Sequence, residues 1–382
     1  MSKKKLLRNC NICGKRFFTE GEKRYYDEHN LKYPKLCKSC RELRKQAQKE
    51  MQRIEAFYKH AKLEYIKLAD LEIIEPEHTL VIIGNGFDKM HGVPSGYYNF
   101  RDSMGKRNRL RENLEMYIDS DDVWGNFEEN LAKLDSSLFY EILDDALRTY
   151  GSYESHKRDG SIADIMVPAE MLMNPVDEIV RKLPKQFRKW VNELPNQVKG
   201  IEEIYKVFTS EVRFLNFNYT EYLETAYGID HNKVTYIHGY RKNEDDILVV
   251  GHAEEDYYVP REPKGIPHYK DPDMCGVFAE ASLQIDNHLN WYEDAMTKHT
   301  KKIIEEHKGF FEGQTDVQCI ITLGHSLSSV DWPYFEELIK DSNLENVNWM
   351  ISFYSNEDLV RIFYFIEKMN IKPEHITLID LH

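Results

Sequence analysis

Residues 80–88 of this 382-residue chain read Leu-Val-Ile-Ile-Gly-Asn-Gly-Phe-Asp. The first four residues form a short apolar run rich in β-branched side chains, which predicts a buried strand. The Gly84-Asn85-Gly86 turn that follows would allow backbone N–H groups to approach a phosphate group closely. This segment therefore predicts a strand that opens a phosphate-binding turn.

Three further polar motifs also follow short apolar runs. They are the segments 216–220 (Asn-Phe-Asn-Tyr-Thr), 238–239 (His-Gly) and 324–327 (Gly-His-Ser-Leu). In an open parallel sheet, ligands bind outside the carboxyl ends of the strands. Four polar motifs at strand ends therefore predict a nucleotide pocket.

Alternating strands and helices extend this prediction to the body of the chain, residues 78–382. Apolar runs predict further strands at 212–217, 234–237, 247–251, 317–323, 349–354 and 376–379. Residues from about 97 to 207 lack strong strand patterns and predict a helical insertion. We therefore expect an α/β fold with a Rossmann-like parallel sheet and helices on both faces.

Four cysteines near the start of the chain have the spacing of a metal site. Cys10-x-x-Cys13 and Cys37-x-x-Cys40 are typical of four thiolates around a structural Zn²⁺. Zinc would supply folding energy that so small a segment cannot obtain from apolar burial. We expect a zinc ribbon over residues 1–45. The segment that follows contains no Gly or Pro as far as Leu71, which predicts a helical linker over 41–75.

The charge of the chain is unevenly distributed. Residues 1–50 have a net charge of +9, whereas the remaining residues have a net charge of −23. The basic head could contact nucleic acid, membrane phosphates or an acidic partner, but the acidic body disfavours nucleic-acid binding over its general surface. No apolar run approaches the roughly 18–20 residues of a membrane helix, and the start lacks a signal peptide. We expect no membrane partner and a cytoplasmic location.

The motifs of the body resemble those of the sirtuin nucleotide fold. The segment 84–94 resembles the sirtuin Gly-Ala-Gly loop that ends in Gly-Ile-Pro, and Phe100-Arg101 follows it slightly late. Asn218-x-Thr220 resembles the Asn-x-Asp motif, with Thr in place of the acid. His238-Gly239 resembles the His-Gly pair, and the segment 324–333 resembles the Gly-Thr-Ser-Leu loop with a small insertion. The zinc candidate lies outside this fold, which disfavours protein deacylation.

The closest resemblance is to the AbiH family of phage abortive-infection proteins. Its hallmarks are present at 84–88 (Gly-Asn-Gly-Phe-Asp), 124–128 (Trp-x-x-Phe-Glu), 216–220, 237–239 (Ile-His-Gly) and 324–331 (Gly-x-Ser-Leu-x-x-x-Asp). The resemblance covers roughly residues 78–382 and excludes the cysteine head. The motifs are specific as a set, although each one alone is not.

These resemblances imply a site that binds NAD⁺ or a related nucleotide. His238 is the candidate base because imidazole titrates near neutral pH. Asn218 and Asp88 are the other candidate catalytic residues: Asn218 is expected to hold the ribose or a water molecule, and Asp88 to orient the ribose or Arg101. Glu128 would be a second carboxylate from the helical insertion. The predicted nucleotide-binding residues are Gly84, Asn85, Gly86, Phe87, Arg101, Thr220, Gly324, Ser326 and Asn356.

Three functions remain open from the sequence. The first is an antiphage protein that hydrolyses NAD⁺ to nicotinamide and ADP-ribose on infection, under the control of a phage-derived trigger or a homo-oligomeric switch. The second is a nucleotide-binding sensor without catalysis. The third is an interaction protein that contacts nucleic acid or protein through its basic cysteine head. Each residue also has a structural alternative, since a buried His or Asp often only stabilises the fold.

Overall fold

A computed structural model describes residues 6–154, 163–253, 272–340 and 347–382 of the chain. The chain divides into two compact units between Leu63 and Glu64. Each unit forms its own structure, and the candidate sites described below each lie within one of them.

The first unit is a β-hairpin followed by two helices. The hairpin pairs β1 (Leu6–Asn9) with β2 (Arg16–Thr19), and the helices are α1 (Glu20–Glu28) and α2 (Lys38–His60). Its small apolar cluster is built around three of the cysteines. A cluster of this size buries too little apolar surface to stabilise a fold by itself, which is consistent with a need for metal.

The predicted helical linker is shorter than expected. The helix α2 ends at His60, and Lys62 adopts a positive φ of 50°, a left-handed conformation that breaks the helical path. Residues Glu64–Lys67 then form the strand β3. Composition alone missed this strand because Glu and Lys are good helix formers.

The second unit is an α/β fold around a seven-stranded parallel sheet, as the sequence predicts. The strand order is β3-β11-β10-β9-β4-β5-β6, and every pairing is parallel. The strands that follow β3 are β4 (Thr79–Ile83), β5 (Arg213–Asn216), β6 (Val234–Tyr236), β9 (Cys319–Leu323), β10 (Asn348–Phe353) and β11 (Ile376–Asp380). All five residues of β4 are buried, as expected for a central strand covered on both faces.

The topology of this sheet determines where a ligand would bind. From β4 the chain moves outward through β5 and β6, and it later returns to the other side of β4 through β9, β10 and β11. This is a doubly wound order with its switch point between β4 and β9. Ligands of such sheets bind in the crevice at the switch point, outside the carboxyl ends of the strands.

The predicted strand at 247–251 is wrong. Ile247 is exposed, and the strand in this region is the two-residue β7 (His252–Ala253), which pairs with β8 (Thr297–Lys298) apart from the main sheet. A Cβ atom on Gly251 would lie 2.2 Å from the Met296 carbonyl oxygen. The chain therefore needs glycine to pass close to the neighbouring backbone.

A helical insertion separates β4 from β5, as predicted. Its described helices are α4 (Tyr97–Met104), α5 (Arg109–Tyr117), α6 (Phe127–Leu131), α7 (Ser136–Glu154), α8 (Ala163–Glu193) and α9 (Glu202–Tyr205). Its core is aromatic, with the rings of Trp124 and Phe127 stacked 5.0 Å apart and Phe100 packed against both. The predicted insertion also includes residues 155–162, which lie outside the described residues.

The remaining helices also belong to the second unit, and the longest of them, Pro272–Met296, packs against α7 and α8 of the insertion. They are α3 (Asn85–Met90), α10 (Tyr222–Tyr227), α11 (Pro272–Met296), α12 (Thr300–Glu306), α13 (Lys308–Glu312), α14 (Trp332–Lys340) and α15 (Asn356–Met369). Within the described part of the chain, none of the helices combines the length and the apolar character needed to cross a membrane.

Candidate functional site

A cavity of about 600 Å³ opens at the switch point of the sheet. This volume lies within the range of roughly 300–1,000 Å³ that is usual for small-molecule sites. The cavity is enclosed by the loops after the strands and by the helical insertion. Ten of the predicted site residues line it: Gly84, Asn85, Gly86, Asp88, Glu128, Asn218, Thr220, His238, Gly324 and Ser326.

Three predicted nucleotide contacts lie outside the cavity lining. The Phe87 side chain is 1% exposed and points into the core, where it stacks on Phe208. The Arg101 guanidinium donates a hydrogen bond to Asp102 at 2.8 Å. Asn356 is exposed in the first turn of α15. Phe87 lies between the lining residues Gly86 and Asp88, but the helical backbone of α3 turns its side chain to another face.

The glycines of the site bring two loops into close contact. A Cβ atom on Gly84 would lie 2.5 Å from the His325 Cα, and one on Gly324 would lie 2.1 Å from the Phe87 nitrogen. The Gly84 N–H donates to the Leu323 carbonyl at 3.1 Å, and the Gly86 N–H donates to the Gly324 carbonyl at 2.6 Å. These two N–H groups are therefore already engaged in hydrogen bonds between the loops.

One buried polar cluster consists of Asp88, Asn218 and Thr220, here called the Asp88 cluster. The Asn218 amide donates to Asp88 Oδ1 at 2.7 Å and to the Gly84 carbonyl at 3.0 Å. The Thr220 hydroxyl donates to Asp88 Oδ2 at 2.7 Å. Burial raises the pKa of Asp88 to about 7, against the opposing effect of the Thr220 and Asn218 hydrogen bonds. Both carboxylate oxygens have partners, so this cluster fastens β5 to the turn after β4.

A second, mostly buried cluster packs against the Phe217 ring through two histidines. It consists of Lys298, Glu128, Asp331, His238 and His325, here called the Lys298 cluster. The Lys298 ammonium is buried and lies 2.9 Å from a carboxylate oxygen of Glu128 and 2.9 Å from Asp331 Oδ1. It thereby joins the helical insertion, which carries Glu128, to the segment that follows β9.

The two carboxylates of the Lys298 cluster have opposite pKa shifts. Burial raises the pKa of Glu128, with only partial compensation from Lys298. Burial also acts to raise the pKa of Asp331, but the Lys298 ammonium, which pairs with it, lowers that pKa below its usual value. Carboxyl groups whose environments separate their pKa values in this way are suited to acid and base roles.

His238 has an unpaired nitrogen inside this cluster. The ring donates a hydrogen bond to the Phe217 carbonyl, while Nε2 is buried and has no hydrogen-bond partner among the described residues. The donor is therefore Nδ1, and Nε2 carries the lone pair, 3.7 Å from Asp331 Oδ1. Burial, reinforced by the nearby Lys298, lowers the pKa of His238 well below its ordinary value. The imidazole is thus neutral, and its Nε2 lone pair can accept a hydrogen bond.

His325 has the other tautomer. Its Nδ1 accepts a hydrogen bond from the Leu327 N–H at 3.0 Å, so the proton lies on Nε2, 3.6 Å from Asp331 Oδ2. Leu327 is buried and adopts a positive φ of 52°, an uncommon conformation for a side chain of this size. Burial lowers the pKa of His325 to about 4. This strained turn holds the His325 ring with its N–H toward Asp331.

Two cations line another part of the cavity. Lys89 follows Asp88 on α3, and its ammonium has no ion-pair partner among the described residues. Partial burial lowers the pKa of Lys89. The Arg361 guanidinium lies 3.6 Å from Asp358, whose other oxygen caps the start of α15. The cavity therefore combines a cationic region with an acid–base cluster.

Sequence reasoning missed the centre of the Lys298 cluster. Lys298 lies in no motif and is not itself part of the cavity lining. Asp331 ends the last hallmark segment, and Glu128 ends the Trp-x-x-Phe-Glu segment. The sequence therefore offered one signal, an acidic residue at the end of each of two hallmark segments. Two such acids require a buried cation if the fold brings them together.

The four cysteines of the first unit converge as predicted. Their sulfur atoms all lie within 4.8 Å of one another, and those of Cys13 and Cys37 are 3.7 Å apart. A tetrahedral zinc ion with Zn–S bonds of about 2.3 Å places sulfurs about 3.8 Å apart. The arrangement of Cys10, Cys13, Cys37 and Cys40 therefore fits a structural zinc ion.

The two cysteine pairs differ in their local structure. Cys10 and Cys13 form a tight knuckle after β1, which Gly14 completes with a positive φ of 65°. Cys37 caps the N-terminus of α2, and Cys40 lies in its first turn. Burial acts to raise the pKa of Cys10, but hydrogen bonds from backbone N–H groups outweigh it and lower that pKa to about 6. A knuckle combined with a helix start is a different arrangement from the expected zinc ribbon.

Comparison with known families agrees with both parts of the structure. A family model described as "Bacteriophage abortive infection AbiH" matches residues 80–353, which is more than half of the chain. A second, described as "Probable treble clef domain", matches residues 7–49. The region of this second match contains all four cysteines. No curated protein and no solved structure gives a significant match.

Proposed function

The chain belongs to the family described as "Bacteriophage abortive infection AbiH", and on that premise we propose that it is an antiphage protein that binds and hydrolyses NAD⁺. The family name implies a role in phage abortive infection. The specific reaction proposed is cleavage of the nicotinamide–ribose bond by water, giving nicotinamide, ADP-ribose and a proton. Depletion of NAD⁺ would then arrest the infected cell.

The observation that carries this proposal is the unpaired His238 Nε2 at the switch-point cavity. An orphaned, buried acceptor is costly in a folded protein unless it has a ligand or a catalytic role. Its neutral imidazole faces the cluster in which Asp331 is ionised. A neutral base beside a carboxylate and a cavity is an arrangement suited to activating water.

Cleavage of the nicotinamide–ribose bond requires few protein groups. Nicotinamide leaves as a neutral molecule from a cationic glycoside, so its departure needs no general acid. The ribose carbon becomes electron-poor, and a carboxylate such as Asp331 stabilises that developing positive charge. Water then adds to this carbon and transfers a proton to His238 Nε2. Glu128 and Lys298 hold Asp331 in place, and His325 donates toward its other oxygen.

The cationic region would bind the pyrophosphate of the dinucleotide. Lys89 and Arg361 line the cavity, and an ammonium without an ion pair is a ready partner for a phosphate oxygen. In this arrangement the glycine turn brings the two loops together, while side chains rather than its N–H groups bind the anion. The roles of Asp88 and Asn218 are then to fix the turn and not to react.

The test is nicotinamide release from NAD⁺ by the purified full-length chain, with and without phage lysate. His238→Gln removes the imidazole and retains a polar side chain of similar length. We expect a fall in turnover of about 10²–10⁴-fold. His299→Gln is the matched control, because His299 is about half exposed and does not line the cavity.

The alternatives give different results. Tight NAD⁺ binding without turnover under any trigger would favour a nucleotide-binding sensor. If wild type releases no nicotinamide and His238→Gln still protects cells from phage, the enzymatic proposal is wrong. If deletion of residues 1–45 abolishes protection while triggered hydrolysis persists, the treble clef unit has a separate interaction function. The trigger and a homo-oligomeric switch stay predictions.

A further inference from the structure

A second concave site lies in the helical insertion, apart from the switch-point cavity. It has a volume of about 450 Å³ and includes no acidic residue in its lining. We call it the basic pocket. Its polar side chains include Arg107, Arg109, Lys182, Lys185, Gln186 and Lys189.

Two helices bring these side chains together. Arg107 and Arg109 flank Asn108, the N-cap of α5, whose side chain accepts a hydrogen bond from the Arg111 N–H at 3.3 Å. The lysines lie on α8 at positions 182, 185 and 189, which share one face of a helix. The two helices pack against each other, so five cations converge on one depression.

Few anions balance this charge. The Glu178 carboxylate lies 3.7 Å from Arg109 and also forms an ion pair with Lys182. The Glu193 carboxylate lies 3.9 Å from Lys189. These pairs involve exposed cations, and such pairs typically contribute only about 0–1 kcal/mol. Arg107 and Lys185 are exposed and have no ion-pair partner among the described residues. The concentration of cations is unusual here, because residues 51–382 have a net charge of −23.

We propose that the basic pocket binds a compact, phosphate-bearing polyanion of the polyphosphate class. Like-charged side chains held close together repel one another, and a bound polyanion removes that repulsion. Arginine and lysine are the side chains that bind phosphate oxygens by charge-assisted hydrogen bonds. Gln186 adds an amide that can bind a further polar group of the ligand.

The shape and surroundings favour a small ligand over nucleic acid. Lys182 and Lys189 are seven residues apart, which is about 10 Å along a helix at roughly 1.5 Å per residue. A few linked phosphates match that length. An extended nucleic acid would continue over the acidic surface of the body, where it would be repelled.

The test is calorimetric titration of the full-length protein with sodium tripolyphosphate at low ionic strength. The variant is Arg107→Gln combined with Lys185→Gln, which removes the two cations that have no ion pair and should leave folding unchanged. We expect the dissociation constant to increase at least about tenfold, and the wild-type affinity to fall with added salt. Lys302→Gln combined with Lys308→Gln is the control for net charge, since both lysines are exposed.

Three outcomes would overturn the proposal. One is unchanged tripolyphosphate affinity in the Arg107/Lys185 variant when thermal unfolding shows that it is folded. A second is a loss of binding in Lys89→Gln instead, which would place the polyphosphate in the switch-point cavity. A third is tighter binding of a single-stranded oligonucleotide than of tripolyphosphate, with competition between the two. None of these readings depends on NAD⁺ hydrolysis.

Discussion

The Asp88 cluster and the Lys298 cluster are both buried beside the same cavity, but their hydrogen bonding differs. In the Asp88 cluster each carboxylate oxygen accepts a hydrogen bond at 2.7 Å. In the Lys298 cluster His238 Nε2 has no partner among the described residues, and both imidazoles lie more than 3.5 Å from Asp331. The first cluster is complete without a ligand, whereas the second is not.

This difference separates stabilising residues from candidates for chemistry. A fully satisfied polar network makes the fold rigid, and removing a member costs stability. An incompletely satisfied network retains capacity to bind or to transfer a proton. Two residues that the sequence marked as catalytic, Asp88 and Asn218, belong to the complete cluster. His238 belongs to the incomplete one.

The largest effect is expected from Lys298→Met, which breaks the ion pairs of the Lys298 cluster. Methionine has a similar length but leaves two buried carboxylates without a cation. Loss of one partner of a buried ion pair typically lowers the free energy of unfolding by about 3–5 kcal/mol. Urea denaturation measures this value, with Lys302→Met as the exposed control. A loss below about 1 kcal/mol would contradict the geometry of this cluster.

A smaller loss is expected from Thr220→Val in the Asp88 cluster. Valine keeps the shape of threonine but leaves Asp88 Oδ2 without its donor, at a cost of about 1–3 kcal/mol in unfolding free energy. Thr225→Val is the control, because its hydroxyl donates only to the Glu221 carbonyl one helical turn before it. Equal effects of the two variants would mean that Asp88 does not depend on Thr220.

The strands that position this site were predicted well from the sequence. The apolar run before Gly84 and those before Asn218, His238 and Gly324 indicated strands, and their carboxyl ends meet around one cavity. Parallel strands produce this convergence from local patterns alone. The contacts of Phe87 and Arg101 could not be predicted in the same way, because neighbours in a helix point in different directions.

The Lys298 cluster was beyond prediction for a different reason. Lys298 follows the long helix α11, and its partners Glu128 and Asp331 are 170 and 33 residues away in the chain. No local pattern marks a lysine for burial, and an isolated lysine in a sequence usually indicates an exposed side chain. Only the tertiary fold brings these charges together.

The pH dependence of stability is expected to distinguish the clusters further. Burial raises the pKa of Asp88 to about 7, so the folded state retains a proton that the unfolded chain releases near pH 4. Between about pH 4 and 7 the folded state holds one more proton than the unfolded chain. The unfolding free energy therefore decreases as pH rises, by up to about 1.4 kcal/mol per pH unit. Asp88→Asn cannot titrate. The difference in unfolding free energy between wild type and this variant should therefore change over that window, and a constant difference would contradict the raised pKa.

The smallest effect on stability is expected from His238→Gln, the variant with the largest expected effect on turnover. Because Nε2 makes no hydrogen bond within the described ranges of the chain, its removal leaves none of their buried groups newly unsatisfied. The glutamine amide can still donate to the Phe217 carbonyl, so the loss is limited to ring contacts with Phe217 and Tyr334. We expect a decrease of about 1 kcal/mol or less in unfolding free energy by urea denaturation. A decrease as large as that of Lys298→Met would show that His238 stabilises the fold. In that case, a missing hydrogen bond in a buried cluster would not be a sign that His238 takes part in the reaction.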